Sequence, residues 1–138
     1  MLLELKKVLA EGSGAVPLAA LLSGAVTAQS NEKIVLVISG GNLDSPLLGR
    51  IIGQGLIKRG RIIRIRVSLS DTPGSLAQLL SRVADLKANV LHIYHDRNVK
   101  DLPMYITRVD LELETRSKAH VEKIVTELGG SGYEIQLL

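Results

Sequence analysis

Residues 67–97 read VSLSDTPGSLAQLLSRVADLKANVLHIYHDR, and the pattern is strand, tight turn, amphipathic helix, strand. The turn is Asp71-Thr72-Pro73-Gly74. Asp71 or Thr72 is expected to cap the helix, because a short side-chain oxygen accepts from the unpaired first-turn amides. Pro73 suits the first helical turn, where a missing N–H costs nothing. Gly74 leaves the backbone bare where free amides and the positive end of the helix dipole favour an anion. Two readings stay open from the turn alone: an ordinary capped strand-to-helix corner, or a site that holds a ligand carboxylate against the Asp71–Gly74 backbone.

Outward from this stretch the alternation continues. Ile63, Ile65, Val67 and Leu69 fall on one face of a strand over 61–70, with Arg64, Arg66 and Ser68 on the other. The helix over 73–87 carries Leu76, Leu79, Leu80, Val83 and Ala84 on one stripe, and Asn89 is expected to end it in a left-handed conformation. A second strand covers 90–96. The link 97–103 fits a hairpin loop, and a third strand covers 104–114. Ser117 is expected to cap a second helix with Val121, Ile124, Val125 and Leu128 inward, stopped by Gly129-Gly130. A last strand holds Tyr133, Ile135 and Leu137. The order β-α-β-β-α-β is the split ferredoxin-like arrangement of an α+β domain. Both helices should cover one sheet face and leave the other bare, with Arg64, Arg66, His92 and Tyr94 on it. A bare face and open strand edges invite a second copy, so a homodimer or higher assembly is expected.

Upstream the pattern differs. Residues 2–10 suit a short helix. Ser13 is expected to cap a small-residue helix over 14–23, which is apolar nearly all round and so expected to be buried. Pro17 sits in its first turn. Lys33–Ile38, KIVLVI, is a continuous β-branched run that suits a strand buried on both faces of a parallel sheet. It ends in Ser39-Gly40-Gly41-Asn42, where ligands of open α/β sheets bind. A helix then starts at Asp44-Ser45-Pro46 and runs to about Lys58. One buried strand without parallel neighbours implies the tail of a larger domain, with Met1 an internal methionine of a longer polypeptide.

The totals bound the function. The chain has 138 residues, 46% apolar, with net charge +3. It has no cysteine, so disulfides and thiolate metal sites are ruled out, and a reducing cytoplasmic setting is the expectation. No apolar run reaches the ~18 residues of a membrane span. Three Tyr are the only aromatics, too few to stack on single strands or RNA, so neither nucleic acid nor membrane is an expected partner. His92, His95 and His120 lack metal-ligand spacing, and no metal site or catalytic constellation is expected.

Two stretches carry a family resemblance. Glu11-Gly12-Ser13-Gly14-Ala15 followed by KIVLVISGGN (33–42) resembles the C-terminal end of the catalytic domain of threonine dehydratase, a pyridoxal-phosphate enzyme of fold type II. VSLSDTPGSLAQLL with NVLHIYHDR is similar to an ACT domain, a regulatory module that binds amino acids. The resemblance covers essentially the whole chain and divides it into a catalytic-domain remnant over 1–58 and an ACT domain over 61–138. It implies that Ser39 meets the pyridine nitrogen of the cofactor, with Gly40, Gly41 and Asn42 beside the ring and Glu11 and Ser13 nearby. A neutral hydroxyl at that nitrogen weakens the electron sink, which suits β-elimination. It also implies an effector site over Ser70, Asp71, Thr72, Pro73, Gly74, Ser75 and Leu76, at an interface between two copies. There Asp71 would take the amino group, and the Gly74 and Ser75 amides the carboxylate. His95 either lines that pocket or closes the loop. The expected effector is isoleucine or valine.

The departure from the family is equally specific. The chain has no Phe, hence no lysine in the Ser-Phe-Lys setting that forms the Schiff base, and no phosphate-cradling glycine run. No cofactor is expected on this chain alone, and no dehydratase turnover. The competing expectation is an interaction module that holds an oligomer together and binds no metabolite.

Overall fold

Alternation of large aliphatics with arginines over 62–70 can only be satisfied by a strand that hides one side. In the computed structural model, which describes Met1–Leu138, this is strand β1, Ile62–Ser70. Ile65 and Val67 are fully buried, and Ile63 and Leu69 nearly so. Around it stand α3 (Ser75–Asp85), β2 (Asn89–Asp96), β3 (Ile106–Glu114), α4 (Lys118–Gly130) and β4 (Glu134–Leu137). The sheet order is β2-β3-β1-β4, with every pairing antiparallel. This arrangement is compatible with a ferredoxin-like domain. The core is the hidden face of β1 and β3 against Leu79 and Val83 of α3 and Ile124 and Leu128 of α4.

The chain divides into two compact units, Met1–Ile51 and Ile52–Leu138. The second begins within α2, Ser45–Lys58, and enters the sheet through a corner at Gly60. Gly60 has φ +65°, and a β-carbon there would stand 2.8 Å from the Lys118 backbone nitrogen. The corner is tied by the buried Thr115 hydroxyl, which donates to the Gly60 carbonyl at 2.6 Å. The Thr115 amide donates to the Arg61 carbonyl. Beside this corner, Ser117 caps α4 by accepting from the His120 amide, as its position suggested. His120 Nδ1 accepts from the Arg116 amide at 3.1 Å. Its Nε2 then donates to the Leu86 carbonyl at 2.7 Å, which joins the two helices.

Several local expectations are corrected. Helix α3 starts at Ser75 behind Gly74, and no side chain caps it; neither Asp71 nor Thr72 does. Pro73 therefore precedes the cap rather than occupying the first turn. The left-handed residue after α3 is Lys87, φ 61°, while Asn89 opens β2. Ending the helix earlier lets Ala88 reach the core, where it is buried. Strand β2 carries an irregularity between Val90 and His92, so one extra residue bends this edge strand. β3 begins at Ile106, two residues later than expected.

In the first unit, Leu2–Lys6 is a single π-type turn rather than a helix to residue 10. Helix α1 spans Gly12–Leu22 with Glu11 at its cap, and no side chain caps it. The Ser13 hydroxyl instead donates to the Glu11 carboxylate. The expected burial of α1 is not met: Gly14 is its one buried residue. Lys33–Ile38 forms no strand, and Val35 is 86% exposed. A strand exists only through its ladder, and no neighbour here supplies one. What survives is close contact at the end of the run. The Glu11 amide donates to the Gly40 carbonyl, and a β-carbon on Gly14 would overlap the Ser39 carbonyl.

Candidate functional site

The corner between β1 and α3 is built by local hydrogen bonds. The Thr72 amide donates to the Ser70 carbonyl and the Ser75 amide to the Thr72 carbonyl, at 2.9 and 3.2 Å. The Thr72 and Ser75 hydroxyls lie 2.8 Å apart. Gly74 closes the turn with φ 91°, a left-handed conformation in which glycine carries no steric penalty. From the far side the Asp71 amide donates to the Tyr105 carbonyl at 2.8 Å, so the turn is anchored to the start of β3.

This corner walls a cavity of about 200 Å³. Ser70, Asp71, Thr72, Gly74, Ser75 and Leu76 line it, and His95 of β2 closes one side. Seven of the eight residues singled out for this site thus share one cavity, and Pro73 stands outside its lining. Leu69 and Thr107 also line it and were missed. The alternation had assigned Leu69 to the core. Thr107 sits on the same covered face of β3, where its hydroxyl donates to the Asp96 carbonyl at 2.7 Å. Its register opposite Leu69 is the signal that could have found it.

The electrostatics centre on Asp71. Arg97, just past the end of β2, grips its carboxylate with Nε at 2.9 and 3.2 Å and a terminal nitrogen at 2.8 Å. These hydrogen bonds hold the Asp71 carboxyl below its ordinary value, against a smaller opposing effect of desolvation. The Arg97 guanidinium is raised by the same contacts. The side chain of Asp71 is 24% exposed and that of Arg97 65%, so the pair sits at the surface of the corner. Asp71 is therefore a neutralised acceptor, with lone pairs still available. The Ser75 amide, expected to meet a ligand carboxylate, is already engaged by Thr72.

The four residues proposed to face a cofactor, Ser39, Gly40, Gly41 and Asn42, lie in exposed coil after the 33–38 run. None of them lines the first unit's apolar cavity, about 180 Å³ and bounded by Leu2, Leu5, Leu18, Leu36 and Ile38 among others. Without a walled ring site, a lysine in the Schiff-base setting or a phosphate cradle, these residues do not fit the cofactor by themselves. No cluster of three or more His, Cys, Asp or Glu side chains stands ready for a metal ion. No helix is long and apolar enough to cross a membrane.

No protein-family model matches the chain. The chain is 46% identical over 137 residues to an L-threonine ammonia-lyase of Geobacter sulfurreducens, and 44% identical over 137 residues to one of Thermotoga maritima. Each match takes in 99% of this chain but 34% of the relative, so the chain spans about a third of the length of these curated relatives. A shorter match, 37% identical over 57 residues, is to the L-threonine dehydratase catabolic TdcB of Staphylococcus aureus, covering 40% of this chain and 16% of that protein. The coverage is consistent with the C-terminal part of a threonine dehydratase.

Proposed function

We propose, from the premise that this chain is kin to one third of an L-threonine ammonia-lyase, that residues 61–138 form an ACT-type regulatory domain that binds a small amino acid. The observation that carries this is the cavity behind the Ser70–Leu76 turn, lined by seven of the eight residues to which the sequence points. Leu69 and Leu76 offer an aliphatic side chain its apolar wall. Asp71 offers acceptors to an ammonium group, and the uncapped start of α3 offers donors to a carboxylate. Isoleucine and valine fit this chemistry best. A cavity of about 200 Å³ accommodates a branched aliphatic side chain but leaves little room for a large aromatic one.

In the parent protein, pyridoxal phosphate would serve the catalytic part that deaminates threonine to 2-oxobutanoate. Ser39–Asn42 would take their place in that pocket once the rest of the sheet is supplied. Effector binding would change the parent's activity only through a difference in affinity between two states. Domain pairing is part of this reading: Leu91 and Ile93 on the edge strand β2 are 38% and 42% exposed, and a second copy would cover them. The same exposure favours the rival reading, a pure oligomerisation module.

Calorimetric titration of the chain with isoleucine, valine and threonine, with melting curves alongside, tests the proposal. Ligand at 100 times its dissociation constant should stabilise the fold by about 2.7 kcal/mol, and Asp71→Asn should weaken binding. Absence of heat and of any rise in melting temperature, with a dimer still present by light scattering, would leave the oligomerisation reading in its place.

A further inference from the structure

The bare face of the sheet carries a second cavity, bordered by charged and polar side chains. Its side chains form rows across the strands, and in two rows the charges are paired. Arg64 of β1 meets Glu112 of β3 at 2.7 Å, with His92 of β2 at 3.8 Å from the same carboxylate group. Arg66 grips Asp110 with two bonds of 2.7 Å. The next row inverts the pattern. Arg108 of β3 stands opposite Ser68 of β1, so the position where pairing would demand a carboxylate holds a hydroxyl. On its other side Arg108 faces Asp96, but that carboxylate accepts from the Asn98 amide at 2.9 Å. Arg108 is half-buried and makes no ion pair. The lattice is one anion short.

The gap opens into a cavity of about 370 Å³, lined by Arg66, Ser68, Leu102, Arg108, Glu134 and Gln136 among others. Arg108 can take a carboxylate with its planar fork, a geometry suited to two parallel hydrogen bonds. The Ser68 hydroxyl and the Gln136 amide add donors beside it. Glu134, also opposite Ser68 on the β4 side, places a negative charge across the cavity from Arg108. That carboxylate repels a dianion and accepts from an ammonium group. Leu102, reaching in from the β2–β3 loop, supplies an apolar wall. We infer that this open-face cavity binds a zwitterionic amino acid, its carboxylate on Arg108 and its ammonium on Glu134. The site is separate from the cavity behind the Ser70–Leu76 turn and stands whether or not that one is occupied.

The test is a backbone-amide NMR titration of the chain with L-isoleucine, L-threonine, acetate and inorganic phosphate. Saturable shifts at Arg108, Glu134 and Gln136 are expected with the amino acids, and at least tenfold weaker binding of acetate and phosphate. Arg108→Gln should weaken the amino acids about tenfold or more, with partial recovery in Arg108→Lys. Glu134→Gln should weaken the amino acids yet tighten acetate, a reversal that loss of structure would not give. Shifts confined to Thr72–Leu76 would sink this inference while leaving the turn site intact, and shifts confined to the open face would do the opposite. Phosphate binding more tightly than the amino acids overturns it. So does an Arg108→Gln effect seen only as weaker self-association, because a second copy would then supply the missing carboxylate.

Discussion

Gly60 is where packing and backbone conformation meet, and replacing it with alanine separates the two. The first effect is local. At φ +65° an L-residue pays about 1–2 kcal/mol for the left-handed conformation. The second is steric. The new β-carbon would lie 2.8 Å from the Lys118 nitrogen, 2.9 Å from its α-carbon and 3.0 Å from its γ-carbon. Two of these are backbone atoms at the start of α4, so the helix itself must shift, and overpacking of this kind costs about 1–3 kcal/mol. The sum is about 2–5 kcal/mol. Gly74→Ala is the control: its φ is +91° with nothing within 4 Å of the added carbon, so it should carry the conformational part alone. Urea unfolding followed by circular dichroism gives both values, with unchanged slopes showing that the comparison is sound. The loss at Gly60 should exceed that at Gly74 by about 1–3 kcal/mol. Movement of α4 should also disturb the Thr115 hydrogen bond to Gly60, so Gly60→Ala and Thr115→Val together should cost less than their separate sums. Equal losses at the two glycines, within about 0.5 kcal/mol, would show that the corner yields freely and that its packing was misjudged.

Other outcomes follow from the same geometry. Leu111, 1% exposed at the centre of β3, should cost about 2–5 kcal/mol when cut to alanine, read by the same unfolding curves. The Asp71 carboxyl should titrate below its ordinary value, held there mainly by hydrogen bonds from Arg97. Its contribution to stability is therefore complete above the unfolded carboxyl's value and fades as pH falls through the lower folded one. Arg97→Gln should raise the Asp71 value in a carbon-detected NMR titration, and an unchanged value would refute the pairing. His120 accepts at Nδ1 from the Arg116 amide, so nitrogen shifts should report the tautomer with its proton on Nε2. The opposite tautomer would mean that the ring is turned over.

The sheet was legible because its alternation has one solution: Ile63, Ile65, Val67 and Leu69 cannot be hidden together except on one face of a strand, and Thr107, Val109, Leu111 and Leu113 repeat the pattern. The turn was legible in residue type but not in detail. Asp71 and Thr72 look like caps from sequence, yet a guanidinium 26 positions away captures the Asp71 carboxylate, and no local rule reports a partner at that distance. Arg108 escaped notice for the same reason, since its lack of a counter-ion depends on register between strands. KIVLVI failed differently. Composition favours a strand there, but a strand is a property of a pair, and no other segment of the chain pairs with this one.

That unpaired run has a practical consequence. Six residues with β-branched bulk, one charge and no proline or glycine, left with an open backbone on both sides, form a self-templating adhesive. Left unpaired, Lys33–Ile38 should drive the chain into fibrils on standing. Val35→Lys, at a position already facing water, should keep it dispersed without touching the sheet of the second unit.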